Sequence, residues 1–195
     1  MAKSFGNNSN FPVILLIAAL VFVLFFAFNY EKFQFQISQN ENVPQSAIVP
    51  NSIEAFFCPA DNCSQKLISQ FDSAKGTIDG AIYSFTLDSI GDALVNAKKR
   101  GVNVRIVMER QQLSDYSEID KLKNAGIDVR IDSNPAYMHD KFAVIDGNVV
   151  ATGSFNWSQN ADEKNNENLV IINSQELAQK FEAEFVKIFS SGLSG

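Results

Sequence analysis

The chain is poor in the side chains that build metal sites. Its 195 residues include one histidine, His139, and two cysteines, Cys58 and Cys63. A structural zinc site needs about four ligands, mostly His and Cys, and these three residues fall short of that number. The sequence also lacks internal repeats and low-complexity blocks. We therefore expect one domain of ordinary size without a metal ion or another cofactor.

Positive charge is scarce as well. Lys and Arg number 16 against 22 Asp and Glu, which gives a formal net charge of -6. This balance argues against a partner that is held mainly by neutralisation of its phosphates. Basic residues nevertheless cluster locally, at Lys98, Lys99, Arg100, Arg105 and Arg110. The cluster fits either a surface for a polyanion or a solvated helix end and strand margin.

One long apolar run stands apart from the rest of the chain. Residues 11–28 carry no charged and no strongly polar side chain, and Pro12 suits the first turn of a helix. At about 1.5 Å per residue the run reaches ~27 Å, close to the thickness of a hydrocarbon core. A secretory signal peptide has a shorter apolar core, and a cleavage site of the A-x-A type follows that core. No such site follows residues 11–28. We predict an uncleaved transmembrane signal anchor, with a cleaved signal peptide as the alternative.

The flanking segments complete this predicted topology. Residues 1–10 form an N-terminal tail, and residues 29–52, rich in Gln, Asn and Ser, have the composition of a polar linker. Lys3 lies before the apolar run, whereas the charges just after it nearly cancel. The sequence therefore predicts a single-pass membrane protein with its N-terminus inside and a catalytic domain, residues 53–190, on the outer side.

The two cysteines bear on the compartment. Cys58 and Cys63 form a C-x4-C pair, which closes a small disulfide loop when the domain is exported. Two reduced thiols would instead favour a cytosolic domain. The disulfide is the expectation that agrees with the predicted outward orientation.

Strand and helix patterns alternate from residue 53 onward. Strands are predicted at 53–57, 77–85, 102–108, 127–131, 141–145, 149–152 and 168–172. Apolar residues at helical spacing mark segments around 67–74, 90–100, 115–124 and 177–189. This alternation predicts an α/β fold in which helices cover a sheet on both faces.

The densest group of reactive side chains lies in one short stretch. It runs H-x-K-x4-D and then, after six residues, G-S-x-N, formed by His139, Lys141, Asp146, Gly153, Ser154 and Asn156. With about 5% usage per residue type, chance produces six such positions with a frequency on the order of 10⁻⁶ in a chain of this size. A nucleophile, a fixed cation and small hydrogen-bond donors in this order suit a phosphodiester.

This stretch resembles the HKD signature of the phospholipase D superfamily. Residues 53–190 are compatible with one such domain, and the single motif is similar to that of small bacterial endonucleases of the superfamily. The resemblance implies a mixed β-sheet flanked by helices on both faces, an α-β-α sandwich, and chemistry without a metal. Glu167, which lies 28 residues after His139, matches a carboxylate of the single-motif endonucleases. Its implied role is to accept a hydrogen bond from an imidazole N–H and hold the tautomer.

The implied chemistry requires two copies of the site. His139 attacks phosphorus, Lys141 supplies positive charge, and Ser154 and Asn156 donate hydrogen bonds to the phosphate oxygens. One histidine cannot be the nucleophile and the general acid at the same moment, because the two roles need opposite protonation states. Single-motif members resemble homodimers, so the resemblance implies a homodimer with a phosphohistidine on one subunit and a proton donor on the other.

The remaining residues near the motif have more local roles. Asp146-Gly147 between two apolar runs predicts a hairpin turn, where Asp146 fixes local structure rather than contacting substrate. Gly153 ends the second strand of that hairpin. Trp157 fits either a half-buried structural residue or a stacking platform for a base, and Ser84 has at most an indirect role.

The sequence therefore predicts a metal-independent phosphodiesterase that acts as an endonuclease on DNA or RNA. The alternative is a phospholipase D-type hydrolase of membrane phospholipids, which the apolar run and the acidic composition favour. A non-catalytic binding module of the same fold is a third hypothesis. It is disfavoured because all the reactive positions of the motif, and Glu167, are intact.

Overall fold

A computed structural model of the protein describes residue 29 and residues 51–195. In the second range the strands are β1 Ser52–Cys58, β2 Thr77–Ile82, β3 Asn103–Met108, β4 Asp128–Ile131, β5 Lys141–Ile145, β6 Val149–Gly153, β7 Glu167–Asn173 and β8 Leu193–Ser194. The α-helices are α1 Cys63–Ser73, α2 Asp88–Lys99, α3 Ile119–Asn124, α4 Gln159–Glu163 and α5 Gln175–Ser191.

The strands form one mixed sheet in the order β1-β7-β6-β5-β2-β3-β4-β8. Strands β2, β3 and β4 run parallel, whereas β5, β6 and β7 form an antiparallel meander. The change occurs at β2, which pairs with β3 in parallel and with β5 in antiparallel orientation. In this register Ile82 pairs with Lys141, so β5 begins where β2 ends.

Helices cover both faces of the sheet, which confirms the predicted mixed sheet with helices on either side. One face buries a large apolar core beneath α1, α2, α3 and α4, and the other packs against α5. All five residues of β5 are buried, as a strand covered on both faces requires. Members of the α5 core include Val107, Phe142, Val144, Phe185 and Ile188.

Helix ends follow the local sequence. Ser174 caps α5 by accepting a hydrogen bond from Leu177 N at 3.3 Å, and Ser158 caps α4 by accepting one from Ala161 N at 3.4 Å. Helix α2 ends in Lys98 and Lys99, close to the negative end of the helix dipole. The two serine caps fix where α4 and α5 begin relative to the sheet.

An ion-pair chain fastens α5 to the sheet. The Arg105 guanidinium donates to Asp79 on β2 at 2.6 Å and to Glu182 on α5 at 2.9 Å. Because Asp79 is only 2% exposed, its charge needs this partner. Arg105 therefore belongs to the structure of the domain rather than to a free basic surface.

The other members of the predicted basic cluster do not gather at one surface either. Lys98, Lys99 and Arg100 precede β3, at the sheet edge opposite the start of β5, and Arg100 donates to Phe71 O at 2.7 Å. Arg110 follows β3 and contacts Asn134 O at 3.5 Å. The structure thus agrees with the interpretation of a solvated helix end and strand margin.

The predicted single-pass membrane location is contradicted. In residue 29 and residues 51–195, no helix combines the length and the apolar character that crossing a membrane requires. The segment behind the prediction, residues 11–28, lies outside the described residues. The predicted tail at 1–10 and nearly all of the predicted linker at 29–52 also lie outside them.

Cys58 and Cys63 are joined by a disulfide in this structure, with their Cα atoms 5.7 Å apart. The bond closes the turn between β1 and α1, where Phe57 N also donates to the Asp61 carboxylate at 2.8 Å. Cys58 is the β1 residue that pairs with Glu167 on β7. The bonded corner therefore adjoins a residue of the predicted site.

Candidate active site

His139 lies where the parallel half of the sheet meets the antiparallel half. It precedes β5 and is exposed to solvent, whereas Met138 before it is buried. The carboxyl ends of β2 and β3 reach the same edge, because β2 pairs with both β3 and β5. In α/β sheets, ligands bind in the crevice at such a change of strand order.

Lys141 and His139 form the centre of the site. The Lys141 ammonium lies 3.2 Å from Nδ1 and 3.5 Å from Nε2 of the imidazole, and it donates to the carbonyl oxygen of His139 at 2.7 Å. Lys141 is only 9% exposed. A buried cation is thus held beside an accessible imidazole.

The surroundings of Lys141 weaken its hold on a proton. Burial lowers the pKa of the Lys141 ammonium, and the negative charges of Asp140 and Glu167 offset this effect only in part. A desolvated ammonium gains more from an approaching anion than a hydrated one does. The site is therefore suited to receive a phosphate at this position.

Tyr83, directly after β2, packs against both groups. Its ring centroid lies 4.3 Å from that of His139, and the Lys141 ammonium lies 4.9 Å from the Tyr83 centroid. The Tyr83 hydroxyl accepts a hydrogen bond from Gln112 Nε2 at 3.0 Å. Sequence reasoning missed this residue, because its place beside His139 depends on the pairing of β2 with β5.

A buried carboxylate holds the segment that leads into His139. Glu109, directly after β3, is 1% exposed and accepts hydrogen bonds from Met138 N at 2.8 Å and from Gln111 N at 2.9 Å. The same segment is braced by Asn134, whose side chain bonds Ala136 N and Tyr137 O. Sequence reasoning missed Glu109 as well, and the only available signal was a charged residue at the end of an apolar strand.

Ser154 and Glu167 lie together at the ends of β6 and β7. The Ser154 hydroxyl donates to the Glu167 carboxylate at 2.5 Å and accepts from Asn168 N at 3.1 Å. Asn165 donates to the other oxygen of Glu167 at 3.1 Å. Among residues 51–195, no hydrogen bond joins Glu167 to His139 of the same chain, so the implied contact with that imidazole does not occur within one subunit.

The meander brings this pair alongside Lys141. Phe142 pairs with Thr152, and the Thr152 hydroxyl donates to Lys141 O at 3.2 Å, so Gly153 and Ser154 follow directly beside the start of β5. The effect of Glu167 on the pKa of Lys141 reflects the same proximity. The His139 imidazole, the Lys141 ammonium, the Ser154 hydroxyl and the Glu167 carboxylate therefore lie at the same end of their neighbouring strands.

Asn156 and Trp157 serve the frame of the site in this structure. The Asn156 side chain accepts from Ser84 N at 3.3 Å, and Trp157 N donates to Ser84 O at 3.0 Å. Trp157 is 2% exposed and packs edge-on against Phe85. The structural interpretation of Trp157 is confirmed, and its ring is not available for stacking on a base.

Asp146 lies away from His139 and Lys141, at the far end of β5. It has a φ of 52° in the hairpin turn, and its carboxylate accepts backbone hydrogen bonds from Lys75, Gly76 and Thr77 at 2.7 to 2.9 Å. Desolvation raises the pKa of Asp146, but these three donors outweigh it, so the net pKa is lowered. Asp146 thus joins the turn to the start of β2.

Gly153 is required by close approach of two strands. Its φ of 151° suits glycine, and a Cβ at this position would overlap the carbonyl oxygen of Asn168 on β7. Asn168 in turn donates its N–H to Ser154. The glycine therefore sets the distance between β6 and the strand that carries Glu167.

Two clefts open beside His139. The first, of about 570 Å³, is lined by polar and aromatic residues of the segment before His139 and by α5, including Asn134, Tyr137, Glu184 and Lys187. The second, of about 410 Å³, lies beside Lys141 and has an apolar wall formed by Phe142, Leu177 and Phe181. Within the described part of the chain, no three His, Cys, Asp or Glu side chains are grouped as a metal site requires.

Comparisons with known proteins agree with this geometry. Residues 67–189 match the family model described as cardiolipin synthase, phospholipase D-like domain. The chain is 38% identical to a phospholipase D of Rickettsia conorii over 137 residues, which cover 70% of this chain and 68% of the relative. It is 38% identical over 125 residues to a mitochondrial cardiolipin hydrolase of Chlamydomonas reinhardtii, covering 64% of this chain and 56% of that protein.

Solved structures give the same result. Nuc from Salmonella typhimurium, a phospholipase D family member, matches with a TM-score of 0.70 and 37% identity, over 74% of this chain and 97% of the other. NucT from Helicobacter pylori matches with a TM-score of 0.68 and 29% identity, over 74% and 99%. In both cases the matched region is nearly the whole of the other chain.

Proposed function

The chain is a hydrolase that belongs to the phospholipase D superfamily, and we propose that it is a metal-independent endonuclease with a homodimeric active site. The observation that carries the proposal is the pair formed by exposed His139 and buried Lys141, with the ammonium 3.2 Å from Nδ1. A nucleophile beside a desolvated cation is the minimum that attack on a phosphodiester requires without a metal. Ser154 and Glu167 lie at the same sheet edge.

The first step of the proposed reaction forms a covalent intermediate. A neutral imidazole nitrogen of His139 attacks phosphorus and forms an N–P bond while the bond to the leaving oxygen breaks. Lys141 stabilises the charge on the equatorial oxygens, with the Ser154 hydroxyl as an additional donor. The leaving alkoxide takes its proton from His139 of the partner subunit, which becomes neutral.

The second step releases the product. The imidazole of the partner subunit's His139 now accepts a proton from water, and the resulting hydroxide attacks phosphorus. The N–P bond breaks, His139 is regenerated as a neutral base, and the partner's imidazole is protonated again. Protons and charges balance over the two steps with the two imidazoles and water alone, so the proposed cycle needs no metal or cofactor.

Dimerisation is proposed because the site is half complete in one chain. The full sequence contains one histidine, and the two steps need two imidazoles in opposite protonation states. Glu167 bonds Ser154 and Asn165 within its own subunit rather than His139. A two-fold axis near His139 would supply the second imidazole.

Nucleic acid is the proposed substrate because of the cleft on the Tyr137 side. Tyr137 is 53% exposed beside His139, and Asn134 and Lys187 line the same cleft. An exposed aromatic ring suits stacking on a base. Asp132, Asp140 and Glu184 also line this cleft, and Lys187 pairs with Glu184, so we assign the phosphate to His139 and Lys141 rather than to the cleft wall. The single motif and the position of Glu167 also resemble those of single-motif endonucleases.

Phospholipid is the second candidate, and the other cleft favours it. Phe142, Leu177 and Phe181 form an apolar wall beside Lys141, which suits an acyl chain or the glycerol region of a lipid. The relatives named phospholipase D and cardiolipin hydrolase point the same way. Nucleic acid and phospholipid would meet the same proposed reacting groups, His139 and Lys141, and would differ in the cleft that holds the rest of the substrate.

A substrate panel tests the proposal. The full chain is incubated in EDTA with single-stranded DNA, duplex DNA, RNA, and vesicles of phosphatidylcholine or cardiolipin. We expect cleavage of nucleic acid that persists in EDTA and is lost in His139→Ala. Hydrolysis of lipid alone would overturn the endonuclease proposal, and loss of activity in EDTA would overturn its metal independence.

Subunit mixing tests the dimer. His139→Ala subunits, themselves inactive, are mixed in excess with wild-type chains and allowed to exchange. If each reaction needs two imidazoles, activity falls well below the share of wild-type subunits. A linear dependence on that share, or full activity of a sedimenting monomer, would contradict the dimeric site.

A further inference from the structure

We infer that Tyr83 is a positioning residue that holds the imidazole of His139 and the ammonium of Lys141 in their reacting arrangement. Its ring is the only aromatic one among residues 51–195 that contacts both groups, at 4.3 Å and 4.9 Å from the ring centroid. The inference rests on the proposed function only in taking His139 and Lys141 as the reacting pair. It predicts a physical effect on the imidazole that is measurable without a substrate.

The contact with Lys141 compensates for burial. Loss of water lowers the pKa of this ammonium, and the π-face of a tyrosine attracts a cation at this distance. The ring therefore favours the charged form in a place where water cannot.

The contact with His139 restricts an exposed side chain. His139 is open to solvent, and an exposed imidazole exchanges freely between rotamers unless a neighbour limits it. The rings of Tyr83 and His139 meet at 55°. A nucleophile confined in this way needs less reorganisation before attack.

Tyr83 is itself fixed by three contacts. Gln112 Nε2 donates to its hydroxyl at 3.0 Å, Tyr83 N donates to Asp140 O at 2.9 Å, and the Tyr137 ring meets it edge-on with centroids 6.1 Å apart. The acceptor of this backbone hydrogen bond, Asp140, lies between His139 and Lys141 in the sequence. Tyr83 thus couples the end of β2 directly to the segment that carries both reacting groups.

The single histidine provides a clean spectroscopic test. Labelling the full-length protein with ¹³C-histidine yields imidazole signals that come from His139 alone. We expect these signals to be displaced by the ring current of Tyr83. Tyr83→Leu should move them towards the values of a free imidazole, and Tyr83→Phe, which keeps the ring, should leave them nearly in place.

Kinetics on whichever substrate is cleaved give the second readout. Tyr83→Leu should lower kcat by about tenfold or more with a smaller change in KM, because misplacing a reacting group affects the chemical step. Tyr83→Phe should retain kcat within about threefold, since only the hydroxyl contact is lost. Tyr116→Leu is the matched control, because Tyr116 is 82% exposed and contacts neither group.

The outcomes separate this inference from the proposed function. Unchanged His139 signals in a folded Tyr83→Leu protein, or equal damage from Phe and Leu, would overturn the positioning role whatever the substrate is. Displaced signals without cleavage of any substrate would support it and count against the proposed function. If Tyr83→Leu does not fold, the wild type and Tyr83→Phe decide the question: His139 signals displaced from those of a free imidazole in both proteins support the inference, and free-imidazole signals in the wild type overturn it.

Discussion

Lys141 and Asp146 lie at opposite ends of β5, although both belong to the same sequence signature. Lys141 begins the strand beside His139, and Asp146 follows its last residue, in the turn that contacts Lys75, Gly76 and Thr77. Five strand residues separate the two sheet edges by roughly 16 Å. The signature therefore combines two residues of the proposed active site with one that fixes the hairpin on the neighbouring strand.

We predict that Asp146→Asn weakens the fold and spares the chemistry. The variant should lower the free energy of unfolding by about 1–2 kcal/mol, because the carboxylate accepts three backbone hydrogen bonds but is exposed to solvent. Urea denaturation measures this loss. The kcat of the folded protein should stay within about threefold of wild type.

The same substitution has a defined pH dependence. The folded-state pKa of Asp146 is lowered from its ordinary value of 3.8. Its stabilisation is therefore fully present above that value and is lost as the pH falls through the folded pKa. The stability difference between wild type and Asp146→Asn should shrink there. Asp115→Asn serves as the control, since Asp115 is exposed and has no bonded partner within residues 51–195; an equal loss in both variants would refute the role of Asp146.

We predict that Gly153→Ala damages both stability and activity. A methyl group there would overlap Asn168 O, so β6 and β7 must separate. The expected loss is about 2–4 kcal/mol in the free energy of unfolding, with a clear loss of kcat because Ser154 and Glu167 move apart. Gly147→Ala is the control: its φ is 61°, but nothing lies within 4 Å of the added Cβ, so it should cost only about 1 kcal/mol of backbone strain. Equal effects of the two substitutions would disprove the close-approach argument.

We predict that Glu109 shapes the approach to His139. In Glu109→Ala the buried N–H of Met138 and the part-buried N–H of Gln111 lose their acceptor, and the unsatisfied Met138 N–H alone costs about 1–3 kcal/mol. The segment before His139 should loosen, so kcat should fall by about tenfold or more. Unfolding and steady-state kinetics measure the two effects. Glu163→Gln, at an exposed carboxylate bonded only to Gln159, should change neither.

We predict that Ser154 and Glu167 act as one unit. Ser154→Ala and Glu167→Ala each remove the same hydrogen bond of 2.5 Å, so their effects should not add. A double-mutant cycle on kcat/KM should give a coupling energy of at least about 1 kcal/mol. Effects that multiply independently would show that the two side chains serve the reaction separately.

Much of the fold follows from the local pattern of residues. The predicted strand at 141–145 matches β5, and the strand predicted at 168–172 falls within β7 Glu167–Asn173. Asp-Gly between two apolar runs correctly predicts the hairpin, in which Asp146 and Gly147 both have positive φ. These features depend on interactions between near neighbours in sequence, which periodicity and turn chemistry describe well.

The parts that escaped prediction depend on distant pairing. Tyr83 reaches His139 only because β2 pairs with β5, and Glu109 reaches Met138 only because the connections after β3 and β4 meet at one edge. The apolar periodicity of a strand does not indicate which other strand or connection it will contact, so neither pairing could be predicted from the sequence. The membrane prediction stands apart from these two: it is contradicted because no helix in residue 29 and residues 51–195 is long and apolar enough to cross a membrane.

The proposed reacting groups and the cleft walls come from different stretches of the chain. His139, Lys141, Ser154 and Glu167 all belong to the antiparallel meander or its entry, whereas the outer walls come mainly from residues 132–138 and from α5. Changes in the walls can thus alter which phosphodiester fits while the reacting groups stay in place. Substitutions confined to that loop and to one face of α5 would therefore be enough to exchange a polymer substrate for a lipid.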